Sequence, residues 1–175
     1  MIDDRAAVEI QIGRPLRAES PVVARCHLGL PTVVRVPPIL DDGTPFPTLF
    51  WLTCPLARRR VGRLEGAGGV RSMERRVRAD PELASRLANA HRRYAAQRQA
   101  LVEEGAEIPP GGGVGGIESS GIKCLHAHYA DRLAGNENPI GDMVAPWVEP
   151  LDCPRSCVVD IEGAVVANPE WKEPR

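Results

Sequence analysis

Apolar residues recur with two different periods along the chain, and the change of period divides it. Up to residue 53 they come in short runs rich in β-branched residues. Val22–Cys26 and Thr32–Val36 flank His27-Leu28-Gly29-Leu30-Pro31, whose Gly and Pro turn the chain, so the pair predicts a β-hairpin. Thr48–Thr53 is the most strand-like run and predicts a central strand. Beyond it the apolar positions fall three and four apart. That period predicts helices over about 54–64, 81–103 and 120–134, with shorter ones over 3–12, 70–78 and 140–147. Asp80-Pro81-Glu82 is a strong helix start: the Asp caps, Pro suits the first helical position, and Glu meets the positive end of the dipole. Strands early and helices later predict an α+β domain, a small antiparallel sheet from the N-terminal third packed against several helices. Residues 1–150 read as one domain. Residues 151–175 read as a Cys-containing C-terminal extension with a strand at 158–161 and an end expected to be disordered.

Composition narrows the classes. A chain of 175 residues can bury a core without staples. A net charge of -1 excludes a global attraction to nucleic acid or membrane, and no run approaches the roughly 20 apolar residues of a membrane helix. Met1-Ile2-Asp3-Asp4 does not open a secretory signal, so a cytoplasmic protein is expected. Charge is uneven in one place. From Arg58 to Arg98 there are twelve arginines against four acids, a face that could meet an acidic protein or a polyanion or simply be solvated.

Cysteine and histidine supply the candidate chemistry. Five cysteines in a reducing compartment are thiols or ligands rather than a disulfide framework. Lys123-Cys124-Leu125-His126-Ala127-His128 carries a thiol and two imidazoles. If its helix begins near Ser120, Cys124 and His128 share a face; if it begins later, His126 competes as the ligand. Cys26 enters the first hairpin turn and Cys54 precedes a helix opened by Pro55. Cys26, Cys54, Cys124 and His128 or His126 could converge on one ion. Three thiolates and an imidazole suit zinc, and three or four cysteines could equally hold an iron–sulfur cluster. The alternative is a thiol- or metal-dependent hydrolase acting on a phosphorylated or polyanionic substrate. Cys54 and Arg60 have the Cys-x5-Arg spacing of thiol phosphatases, but the loop between them lacks glycine, and Pro55 removes a phosphate-binding N–H. Gly111–Gly116 spells Gly-x-Gly-x-x-Gly without a preceding strand, which fails the dinucleotide context. Cys153-x3-Cys157, in the extension, is compatible with a metal clip or a redox pair, and the sequence leaves open whether the two join the site.

The stretch Gly43–Pro55, the pair Leu64-Glu65, Lys123-Cys124-Leu125-His126 with Leu133-Ala134, and Asn138-Pro139-Ile140-Gly141 together resemble the DUF501 family of bacterial proteins of unknown function, common in actinobacteria. The resemblance covers most of residues 5–145. It implies a cysteine in the first hairpin, matching Cys26, and a position that exchanges Cys for His at Cys54, as a metal ligand does and a nucleophile does not. Genes of that family lie beside those for a septum-formation initiator and an exopolyphosphatase, which implies a cell-division or envelope setting. The expected function is a metal-binding domain, an adaptor linked to cell division or the envelope, with the hydrolase as the alternative; the sequence does not decide whether it is an enzyme.

Overall fold

The computed structural model describes residues 2–102, 112–117 and 120–174. Residues 109–111 of the glycine-rich loop and Ser119, an expected cap, lie outside them. The order is α1 (Asp4–Ile12), β1 (Val22–Arg25), β2 (Pro31–Arg35), β3 (Phe50–Leu52), α2 (Pro55–Gly66), α3 (Gly69–Ala79), α4 (Pro81–Gln99), a 3-10 turn at Val114–Gly116, α5 (Leu125–Leu133), α6 (Pro139–Val148), β4 (Val158–Ile161) and β5 (Ala164–Ala167). The fold is α+β, as the change of period implies.

β1, β2 and β3 form an antiparallel meander in that order, with Val33 opposite Leu52 and Val34 opposite Trp51. Four of the five residues of β2 are buried because both faces of the sheet are covered. Side chains alternate across a strand, so Val33 enters the main core and Val34 a second one. The main core lies under α2, α4, α5 and α6 and includes Leu56, Tyr94, Leu125, Tyr129, Ile140 and Val148. The second is closed by Val8 of α1 with Leu16, Val36 and Leu40.

Tyr94 and Arg98 tie α4 to the sheet. The Tyr94 hydroxyl accepts from the Leu49 N–H at 2.6 Å, and the buried Arg98 donates twice to the Phe46 carbonyl. Asp80 caps α4 as its sequence dictates, accepting from Glu82 N and Leu83 N. Asn138 caps α6, accepting from Gly141 N at 2.9 Å. α5 crosses α6 closely there. A Cβ at Gly141 would stand 2.6 Å from both Arg132 Cβ and the His128 carbonyl oxygen, so only glycine fits.

α5 begins at Leu125, later than a cap at Ser120 would place it. Cys124 is extended (φ -155°, ψ 152°), and the cap comes from another element. The Glu65 carboxylate, at the end of α2, accepts from Leu125 N at 2.5 Å and His126 N at 3.4 Å. This is the work of the Leu64-Glu65 motif.

After α6 the chain folds back over the N-terminal elements. β4 and β5 pair as a hairpin around Glu162-Gly163, both at positive φ, and pack on α1. Val158 is buried with Ala7 and Leu30. Trp171 lies over the Arg59 guanidinium, 4.9 Å from ring centre to carbon, and Glu173 pairs with Arg63. Arg60 donates to the carbonyls of Val148, Pro150 and Pro174. The extension through Pro174 thus packs on the rest of the fold. Among the described residues no helix is long and apolar enough to cross a membrane.

Candidate metal centre

Four of the five cysteines line one small cavity of about 20 Å³: Cys26, Cys54, Cys153 and Cys157, with Gln11 and Trp171 beside them. Each arrives on a different piece of backbone. Cys26 follows β1. Its N–H donates to Leu30 O and its carbonyl accepts from Gly29 N, both at 2.9 Å, and this tight turn needs the positive φ of Gly29. Cys54 is the N-cap of α2, fixed there by Pro55 at the first helical position. Cys153 is held to the hairpin turn by its carbonyl, 3.1 Å from His27 Nε2. Cys157 precedes β4, its carbonyl accepting from Asn168 N at 3.0 Å.

The electrostatics show how near the thiols are to one another. Burial pushes Cys54 up to about 11, the N–H groups of Ala57 and Leu56 draw it back, and the neighbouring Cys157 and Cys153 raise it again. Burial likewise raises Cys157; Gln11 lowers it, while Cys26 and Cys153 act upward. Cys54 and Cys157 are thus buried thiols made harder to ionise by neighbouring sulfur, a condition that a cation reverses. The surroundings point the same way. Gln11 Nε2 donates to the Pro31 carbonyl at 2.9 Å and lies 3.6 Å from Cys157 Sγ, while Gln11 Oε1 and the Trp171 indole N–H are buried without partners among the described residues. Orphaned buried polar atoms are uncommon, and these two border the same cavity. Among the described residues no three Cys, His, Asp or Glu side chains stand in ion-binding geometry, so the thiols ring the cavity without closing on a point.

The five residues expected to form the centre divide between two places. Cys26 and Cys54 come together at this cavity, whereas Cys124, His126 and His128 do not line it. Because Cys124 stands outside the helix, it and His128 are not successive turns of one face. Burial raises the Cys124 thiol, against a pull from the Ala127 N–H. Both His126 nitrogens are engaged, Nδ1 with Glu65 Oε1 at 3.1 Å and Nε2 with the Arg58 carbonyl at 3.2 Å. Burial works to raise the Glu65 carboxyl, but His126 and the two backbone N–H groups outweigh it and leave it below its ordinary value.

His128 is fully buried at the head of a polar network. Its Nδ1 is 3.0 Å from Asn138 Oδ1, and Asn138 Nδ2 donates to Asp131 at 2.8 Å. Asp131 receives both terminal nitrogens of Arg93, at 3.1 and 2.6 Å. Since Asn138 Oδ1 can only accept, the His128 proton sits on Nδ1, and Nε2 has no partner. The second motif of the sequence is therefore a structural joint between α4, α5 and α6.

Cys153, Cys157 and Trp171 join Cys26 and Cys54 at this cavity. The Cys-x3-Cys spacing was visible, but nothing local says that residues 153–171 return to residues 11–57. The phosphatase geometry is absent at Cys54. Arg60 is engaged by three backbone carbonyls, and a thiol raised to about 11 is the reverse of an activated nucleophile.

Comparison with curated proteins and with solved structures gives no match. The family model described as "Protein of unknown function (DUF501)" matches residues 22–146, well over half of the chain, and the chain belongs to that family.

Proposed function

We propose that this is a metal-binding domain whose ion is held by the thiolates of Cys26, Cys54, Cys153 and Cys157. The observation that carries the reading is the convergence of four cysteines, from both ends of the chain, on one apolar cavity. Each Cys has a single side-chain torsion, and a change of rotamer moves its sulfur without moving backbone. Four thiolates around a single small void suit tetrahedral zinc better than a multi-iron cluster. The buried Trp171 N–H, with no partner among the described residues, is available to donate to a sulfur, a contact of the kind that orients and tunes a thiolate centre. Two ligands, Cys26 and Cys54, lie inside the family match and two lie beyond residue 146.

A closed four-thiolate shell has no open position for substrate, so the domain belongs with binding modules rather than hydrolases. Its ion contributes to folding directly, because only the folded chain assembles the ligands. Free thiolates suit a reducing compartment, which supports a cytoplasmic location. An adaptor role in cell division or the envelope is compatible with such a module.

The test is metal analysis of protein purified without chelator, with a visible spectrum to exclude an iron–sulfur chromophore. One zinc per chain is expected. Serine at Cys26, Cys54, Cys153 or Cys157 is expected to lose zinc and lower the melting temperature, and Cys124→Ser to keep zinc. Folded protein without stoichiometric metal, or full zinc retention by Cys153→Ser, would refute the reading.

A further inference from the structure

Six of the twelve arginines of the basic run donate to backbone carbonyls or pair with carboxylates. Arg58, Arg60 and Arg98 donate to backbone carbonyls, and Arg63, Arg86 and Arg93 pair with carboxylates. α3 differs. Arg71, Arg75, Arg76 and Arg78 are all exposed. None of these four is paired with an acid among the described residues. At 100° per residue, Arg71, Arg75 and Arg78 fall within a narrow stripe spanning about 10 Å of helix. Buried Met73 and half-buried Val70 and Val77 occupy the opposite side. α3 is anchored through those three and by Gly69, where a Cβ would stand 2.7 Å from Leu64 O. The arginines are thus held on a rigid element. The one acid of the helix is Glu74; Asp80 follows it and is engaged in capping α4.

We propose that this stripe binds the phosphodiester backbone of duplex nucleic acid. Three observations select that partner. Guanidinium forks match phosphate oxygens in geometry as well as charge. The exposed large apolar residues are Ile10, Val23, Leu28, Leu101, Trp147 and Ile161, none of them on α3, so the face lacks the apolar anchor on which protein partners depend. It also lacks an aromatic residue on which an unpaired base stacks, which favours a duplex over a single strand. Contacts of this kind position a protein without reading sequence. The proposal is independent of the metal centre.

The test is fluorescence anisotropy of the full chain with labelled duplex DNA and duplex RNA of arbitrary sequence. Single-stranded DNA, inorganic polyphosphate and an acidic peptide serve as competitors. Three phosphate contacts give an affinity that falls about 40-fold between about 50 and about 200 mM salt. The triple variant Arg71→Gln, Arg75→Gln, Arg78→Gln is expected to melt like the parent and to lose most of that salt dependence. The control pair Arg17→Gln, Arg155→Gln, on other surfaces, is expected to keep it. No duplex binding at low salt, equal binding by the triple variant, or preference for the peptide or for polyphosphate over duplex would overturn the proposal.

Discussion

Acid should weaken this fold through the buried imidazole of His128. Burial holds the His128 pKa down at about 4, with the Asn138 hydrogen bond opposing and the neighbouring His91 assisting. In the unfolded chain the imidazole titrates near its ordinary value of about 6.5. Above that value both states are neutral and the residue is indifferent to pH. Between the two values the unfolded chain takes up a proton that the folded one refuses, so stability falls as pH falls. The gap corresponds to about 3 kcal/mol when fully expressed and to about 2 kcal/mol by pH 5. Burial lowers His91 as well, which adds in the same direction. Glu65, held below its ordinary carboxylate value, adds to the loss only at lower pH, where the unfolded chain takes up a proton that the folded carboxylate still resists. Urea unfolding at about pH 7.5 and about pH 5 measures the parent's loss. His128→Gln keeps an N–H donor for Asn138 Oδ1 but does not titrate. The variant is expected to start less stable and to lose about 2 kcal/mol less than the parent over the same interval. Acid loss of a bound metal affects both proteins and cancels in the comparison. An equal pH dependence in parent and variant would refute the assignment of the acid sensitivity to this imidazole.

Glu65→Ala removes the side-chain cap that α5 has among the described residues and is expected to cost about 1–2 kcal/mol in urea unfolding, with Glu65→Gln costing less. Gly141→Ala forces a methyl against Arg132 and the His128 carbonyl and should cost about 1–3 kcal/mol, measured the same way. Asp131→Ala leaves Arg93 without its carboxylate and Asn138 Nδ2 without an acceptor; a loss of about 3 kcal/mol or more is expected from the shift in denaturation midpoint. A loss under about 0.5 kcal/mol in any of the three would show that the contact in question does not hold the helices together.

What was legible in the sequence is what short-range chemistry decides. The hairpin and central strand follow from β-branched runs and turn residues, and Asp80-Pro81 and Asn138-Pro139 start helices where they stand. The start of α5 was not legible, because its cap comes from Glu65, sixty positions upstream of Leu125. The partner of β4 was not legible: Val158–Ile161 and Ala164–Ala167 flank Glu162-Gly163, and Glu at positive φ is not one of the residues that mark a two-residue hairpin turn. Of the thiols, Cys26 and Cys54 line one cavity, and their nearness was legible because each follows a strand of one sheet. Cys124 was added to them on a helical spacing that its extended backbone does not have. Cys153 and Cys157 were left out because their place depends on the path of a whole segment, which no local pattern encodes.

That path has a consequence for how the molecule is made. Gln11 meets Cys157 across 146 positions, and His27 meets Cys153 across 126. Contacts of such separation form late and slowly, since a long loop must close before they reward it. During synthesis α1 and the first hairpin therefore emerge without their cover. Ala7 and Leu30 wait for Val158, and the thiols of Cys26 and Cys54 wait for the other pair. A chain halted before residue 153 leaves that side of the sheet open, with two sulfurs and an apolar patch in water, a ready target for proteases and chaperones. The arrival of the last segment is the event that makes the N-terminal end safe.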